Sequence, residues 1–445
     1  MADFPFLYLT QHVNWMDIWF FWGKGRVVGV MKAYLSDMMQ FSPGVRRFLA
    51  TETLLGIGLG IATLLLNLHL LALGLAETQL GAISSVGNIC MGVVSIPCGL
   101  LANRFGRKKL LVLGLSLMGA GYGAFAIATE LWLLFAAQIM QSVGMSLLVT
   151  TEIQLLYSYS VSRQEETRGF SMLFAVFTLF MGIGTLAGGF LPRLLGGART
   201  DYQWSLLAAG LCILACGLFR LALFPQEQAP PAAAKAPSTV SGSSRVRGKL
   251  RLPGKAVWIF CTMNFLLAAS INFVEPFQNV IVKFRMDWPD TMVSLLLTLN
   301  GLAQFIGSFL MPICLERLGI RRTYRLVFAA NLLGTLLLAA AVPPATFSIL
   351  LLVRGGATVV SNNLVLTHTM SVTSEEERNA YAGIRQVTRS IGASAAIYSA
   401  GFLLAGKHYA LPFLGGGILL VLSWIFFRLW VEPLIEAGMA EKEKG

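Results

Sequence analysis

The chain has 445 residues, is 56% hydrophobic and only 13% charged, and combines a formal net charge of +12 with a mean hydropathy of +0.68. Soluble domains are about a quarter charged, so this chain has too little polar surface to cover a soluble globule and is a polytopic membrane protein by composition. Its cations gather in short gaps between apolar runs, which is a topology signal and argues against nucleic-acid binding.

Residues 1–45 mix Trp15, Trp19, Phe20, Phe21 and Trp22 with Lys24, Arg26 and Lys32. Aromatics and cations together suit an amphipathic helix lying in the headgroup region. The opening lacks the basic n-region and small-residue cleavage site of a secretory signal. Twelve apolar runs follow, at 48–74, 79–101, 109–128, 131–157, 169–192, 203–224, 256–282, 290–314, 324–342, 345–371, 379–405 and 409–430. Each approaches or exceeds the roughly 20 residues that span a bilayer. Helix is expected for each, because lipid cannot satisfy an open strand edge.

The first run begins near Glu52 and carries Asn67 and His69 in its outer part. Between the second and third runs stands "GLLANRFGRKKLL" (99–111), which places four cations in one short connection. Gly106 permits a tight turn there. The fourth run holds Gln138 and, near its cytoplasmic end, Glu152. The fifth carries "GIGTLAGGFLP", with Gly182, Gly184, Gly188 and Gly189 at spacings that let helices approach closely. Residues 225–254 are rich in Pro, Ala and Ser and then turn basic, as expected of a flexible cytoplasmic linker against anionic headgroups.

Beyond the linker the pattern repeats. "NRFGRKK" (103–109) matches "ERLGIRR" (316–322), and "EETRGFSM" (165–172) matches "EEERNAYA" (375–382). Two matches in one order at nearly one offset predict two related halves. The expected organisation is an interfacial segment 1–45, a six-helix half 46–224, the linker 225–254, a second half 255–430 and a tail 431–445. With both termini inside, the outer loops hold only Arg193, Arg199, Lys283, Arg285 and Lys407 among the 34 lysines and arginines. The positive-inside rule favours that orientation.

Four cations lie within runs: Arg220, Arg354, Arg385 and Arg389. Ionisable residues inside spans are costly and usually functional. At ~1.5 Å per residue, Arg354 lies about 14 Å from the outside and Arg389 about 15 Å from the inside. Arg385 is one turn nearer the cytoplasm on the same face. Asn272 and Glu275 lie on the seventh run, with Glu275 displaced toward the outside. A net positive central cavity is expected, suited to an anion or an amphiphile with an anionic group. The six cysteines lie inside apolar runs as packing residues. No metal site, cofactor or catalytic triad is expected, and the absence of a Walker pattern excludes transport driven by this chain's own ATP hydrolysis.

Two six-helix halves, the basic motif after the second run and its weaker copy after the eighth resemble the major facilitator superfamily, over residues 48–430. That family's signature is approximately G-x-L-A-D-R-x-G-R-[KR]; Gly99, Leu101, Ala102, Arg104, Gly106, Arg107 and Lys108 match it. The resemblance implies an all-α bundle of twelve transmembrane helices in two pseudo-symmetric halves, with cytoplasmic termini, in the cell membrane as a multi-pass protein. It also implies that Arg104 and Arg107 lock an inner gate, with Gly319, Arg317, Arg168 and Arg378 as further gating candidates. Asn103 departs from the family's acid, so the gate is expected to be weaker or to use other partners: Glu152, Glu165 or Glu166 with Arg168, or the acids at 375–377 with Arg378. Gln138 stands where the family's exporters carry an arginine linked to proton coupling.

The function implied is alternating-access secondary transport, with no enzymatic activity. Proton-coupled export of small organic or amphipathic, anionic compounds is the leading expectation. A flippase or carrier of lipid-like anions is the alternative, ahead of an uptake transporter and a non-transporting sensor. Asn67, His69, Gln138, Asn272, Glu275, Arg354, Arg385 and Arg389 are the candidate substrate contacts. Glu275, His69 and Glu152 are the proton-coupling candidates. The expected partners are a small-molecule substrate, a coupling proton and the lipid bilayer; a monomer is expected, and no nucleic acid.

Overall fold

The computed structural model describes residues 41–225, 254–372 and 375–434. The expected interfacial segment and linker thus lie almost wholly outside the described residues, as does most of the tail. The described chain is helical: α1 (Pro43–Ala72), α2 (Glu77–Phe105), α3 (Arg107–Ile127), α4 (Leu131–Tyr159), α5 (Arg163–Leu195), α6 (Gln203–Leu223), α7 (Lys255–Asn272), a 3₁₀ turn (Glu275–Phe277), α8 (Gln278–Met286), α9 (Asp290–Ala339), α10 (Pro344–Val372), α11 (Glu375–Ala405) and α12 (Leu411–Phe426), which ends in a π turn (Phe427–Val431). Among the described residues nine helical segments are long and apolar enough to cross a membrane. The remaining apolar runs lie on α2, on the part of α9 after Gly319, and on α11.

Helix starts follow local chemistry. Ser42 caps α1 through its hydroxyl, which accepts from the Val45 N–H, and Pro43 occupies the first turn, where a missing N–H costs nothing. The turn between α2 and α3 is made at Gly106, with φ 88°. The eighth and ninth runs are joined in one helix, α9, bent at Gly319 with φ 72°. These two glycines are the matching positions of the repeated motif, and both take a backbone conformation that a side chain disfavours.

The glycines of α5 face two ways. Gly184 and Gly188 lie against the backbone of α1 at Ile57 and Ile61. Gly182 and Gly189 face α9, where a methyl on Gly189 would meet the carbonyl oxygen of Asp290 at 2.8 Å. The same helix therefore packs its own half and seals the seam with the other.

Among the described residues the helices of the two halves pack mainly along three lines. Helix α2 runs along α11, where the Ser85 hydroxyl donates to the Ser394 carbonyl at 3.0 Å and the Ser394 hydroxyl returns to the Ser85 carbonyl at 3.1 Å. Helix α5 meets α9, where Thr298 donates to the Gly182 carbonyl at 3.3 Å. Helix α1 meets the turn after α7 through Asn67 and Asn279. The polar ties on all three lines lie in the outer part of the spans, and the α2–α11 seam continues inward to Gly92 and Ser390. One apolar core runs from the first half into the outer end of the second, through Val274, Phe277, Leu296, Leu338, Ile397 and Ala400. The inner end of the second half packs on a separate core, with Phe260, Tyr324, Phe328, Leu420 and Phe427. The molecule is closed on its outer side.

Candidate functional site

The seventh run is one helix by hydropathy but not in the structure. Helix α7 stops at Asn272, whose amide turns back to the Ala268 carbonyl at 2.8 Å. Pro276 has no N–H to continue the ladder, and a 3₁₀ turn at Glu275–Phe277 leads into α8. The break presents its backbone to the other half: Asn67 donates to the Pro276 carbonyl at 2.6 Å. Asn279 donates to the Leu64 carbonyl at 2.6 Å. Asn67 and Asn279 thus tie α1 to the broken helix on the outer side.

Glu275 sits on this break, half-buried, and accepts from Gln304 of α9 at 3.0 Å. It lies close enough to Arg354 and to Arg389 to act on both charges. Hydropathy places Glu275 toward the outside; the structure sets it at the depth of Arg354. Because α8 continues to Met286, Glu275 is about 16 Å of helix from the outer end, and Arg354 about 15 Å from Pro344.

The arginines differ in access. Arg354 is 2% exposed and donates to Thr335 of α9 at 3.1 Å, so its head is held inside the second half. Arg389 is exposed, and Arg385, one turn below, is half-buried and donates to Asn264 of α7 at 3.2 Å. Beside Glu275 lies a feature the sequence did not signal. The amides of Gln278 and Asn300 pair at 3.2 Å, which leaves Gln278 Nε2 and Asn300 Oδ1 buried with no further partner.

Other candidates fall elsewhere. His69 is fully buried in the first half, with Nδ1 2.6 Å from the Thr200 hydroxyl and Nε2 3.1 Å from the Phe125 carbonyl. A carbonyl only accepts, so Nε2 carries the proton and Nδ1 accepts from Thr200; both nitrogens are committed away from Glu275. Gln138 lies against Gly87 of α2 and joins Gln141 and Ser142 in a small amide–hydroxyl cluster that reaches Tyr122. Glu152 pairs with Arg220 at 3.1 Å inside the first half.

Of the gating candidates, Gly99 is buried, Arg107 half-buried, and Arg104, Arg168, Arg317 and Gly319 exposed. Arg104 lies over the Phe105 ring at 5.5 Å. The side chains of Asn103 and Arg378 lie outside the described residues. Glu165 is engaged by the backbone N–H groups of Ser42 and Val161, at 2.5 and 2.6 Å, and so anchors the start of α1.

The outer closure has its own polar latch. Lys283 donates to Tyr202 and, at 2.5 Å, to Asp290, while the Tyr202 hydroxyl lies 3.2 Å from the other Asp290 oxygen. Tyr202 precedes α6, so the latch ties the first half to the second. Burial pushes the Tyr202 phenol up from its ordinary value, which keeps it a neutral hydroxyl. Asp290→Ala is expected to raise the outward-open population, read as longer distances between spin labels on the outer ends of α5 and α9. An unchanged distance distribution would show that the latch does not hold the closed state.

The family model described as Major Facilitator Superfamily matches residues 48–285 and again 260–444. A tetracycline resistance protein, class H, of Pasteurella multocida is 24% identical over 255 residues, 56% of this chain and 60% of that protein. The quinolone resistance protein NorA of Staphylococcus aureus (strain MRSA252) is 20% identical over 253 residues, 56% of this chain and 61% of that protein. The chain thus spans less than two thirds of the length of these relatives. Among solved structures, the nucleoside transporter NupG superposes with a TM-score of 0.70 at 16% identity, covering 86% of this chain and 98% of that one. A bacterial homologue of the iron transporter ferroportin, in an inward-facing state, gives 0.67 at 15% identity, covering 87% and 98%. At these identities the structures speak for the fold alone.

Proposed function

The chain belongs to the major facilitator superfamily and is a multi-pass membrane transporter, and we propose that it exports small organic or amphipathic compounds bearing an anionic group, by alternating access coupled to protons. The observation that carries the reading is the position of Glu275. It sits on the broken span that closes the outer side, at the depth of Arg354 and within electrostatic range of Arg354 and Arg389. An anionic cargo and Glu275 compete for the same positive charge, so the protonation of Glu275 and the binding of cargo are linked. The resistance proteins among the relatives support export as the direction.

The seams α2–α11 and α5–α9 are packed on their outer halves, which gives a lipid-like cargo no side entrance there and favours a water-borne or inner-leaflet amphiphile. Proteoliposomes loaded with candidate anionic dyes or drugs test the proposal. The wild type is expected to move them when a pH gradient is imposed. Glu275→Gln is expected to retain binding and lose the dependence on the gradient. Gradient-driven transport that survives Glu275→Gln would place the coupling elsewhere.

A further inference from the structure

The first half holds a charged cluster that the cargo site does not use. Arg220, in the last turn of α6, is fully buried. One end of its guanidinium donates to Glu52 of α1, and the other to Glu152 of α4 at 3.1 Å. Its Nε donates to the Thr51 hydroxyl at 3.1 Å. The rings of Phe48 and Phe224 cover it, at 4.6 and 5.9 Å from the guanidinium carbon.

Two carboxylates thus share one cation in an apolar cage. With both ionised the cage holds an uncompensated negative charge, which burial makes costly. Both carboxyls are held on one guanidinium, Glu52 at one terminal nitrogen and Glu152 at the other, so a proton on either one removes the excess charge.

Among the described residues the neighbouring charges do not supply the missing cation. Arg47 of α1 donates to the Leu223 carbonyl at 2.9 Å, and Lys108 of α3 to the Phe224 carbonyl at 2.7 Å. Both are spent on the C-terminal end of α6. On the α5 side, Glu165 is taken by the backbone N–H groups of Ser42 and Val161, and Arg168 is exposed. The Cys216 thiol donates to the Thr51 carbonyl at 3.3 Å and adds no charge.

We propose that Glu52, Glu152 and Arg220 form a binding site for a single proton, distinct from Glu275. Glu52 is 1% exposed and Glu152 17%, so Glu152 is the port and Glu52 the inner partner. The proton belongs to the pair rather than to either residue. When it leaves, both carboxylates fork onto the guanidinium and bind α1, α4 and α6 together. When it arrives, the Glu152 bond to Arg220 weakens and α4 is released from α6. The site adds a second protonation step to the transport reading above and rests on it only for its use in the cycle.

Infrared difference spectra of the purified full chain, taken between acid and neutral pH, report the carbonyl stretch of a protonated carboxyl without any cargo. The wild type is expected to show a titrating band that both Glu52→Gln and Glu152→Gln lose and Glu275→Gln keeps. Glu152→Asp, which preserves the charge should the amide variants fold poorly, is expected to shift the band's titration midpoint rather than abolish it. A band that persists unchanged in both amide variants, or a midpoint unmoved in Glu152→Asp, overturns the proposal. A wild-type band that behaves as expected, in a protein that moves no cargo on a pH gradient, supports the site and refutes the coupled-export reading.

Discussion

Arg220→Ala is expected to cost about 3–5 kcal/mol of stability, the range for breaking a buried ion pair by removing one partner. The loss arises because Glu52 and Glu152 stay behind in a cage that no longer contains a cation. Three helices also lose their common tie, since the guanidinium reaches α1 through both Thr51 and Glu52 and α4 through Glu152. Arg220→Lys is expected to fall between, because an ammonium cannot fork onto two carboxylates. The contrast lies in removing all the charges together. Arg220→Met with Glu52→Gln and Glu152→Gln leaves no buried ion to satisfy, and such replacements are often nearly neutral. Thermal unfolding in detergent, followed by loss of monodisperse protein, separates these cases. A melting temperature for Arg220→Ala equal to that of the wild type would mean that the carboxyls are already neutral or hydrated without it.

The triad shows where sequence reasoning reaches its limit. Counting residues from a helix end gives depth in the membrane but not which way a side chain points. Glu52, Glu152 and Arg220 all lie toward the inner ends of their spans, so a comparison of depths could have grouped them. Assigning Glu152 to the proton path found one member by its charge and missed its partners on α1 and α6. His69 shows the same limit: its depth suits the cavity, while its ring is turned into the first half, onto Thr200 and Phe125. The broken span did carry a signal, because Pro276 stands inside the seventh run directly after Glu275. Periodic or punctuating features were the legible ones. The α5 glycines and the Gly106–Gly319 correspondence depend on local sequence and on one repeat offset, and the structure carries both.

Among the midplane cations, Arg389 is the one proposed to meet the cargo. Arg354 is almost fully enclosed and already bonded to Thr335, and Arg385 is held by Asn264. Arg389 is exposed, close to Glu275 and adjacent to Arg385 on one helix face. Among the described residues three guanidiniums against one carboxylate leave this region positive, and an anionic group on the proposed cargo would offset part of the excess. A hydrogen bond to a charged group contributes about 1.5–3 kcal/mol, and each ~1.4 kcal/mol is tenfold in affinity. Arg389→Ala is therefore expected to weaken binding of anionic compounds by roughly 10- to 100-fold and to leave neutral compounds of the same size nearly unchanged. Arg389→Lys restores the charge but not the planar fork, so it should recover only part of the affinity. Arg385→Ala, a turn nearer the cytoplasm, should change the rate of exchange with the inner side more than the equilibrium constant. Tryptophan-quenching titrations with matched anionic and neutral ligands measure all three. Equal losses for both ligand classes would mean that Arg389 supports the packing of α11, and undiminished anion binding would mean that the positive charge of the cavity is not what selects the cargo.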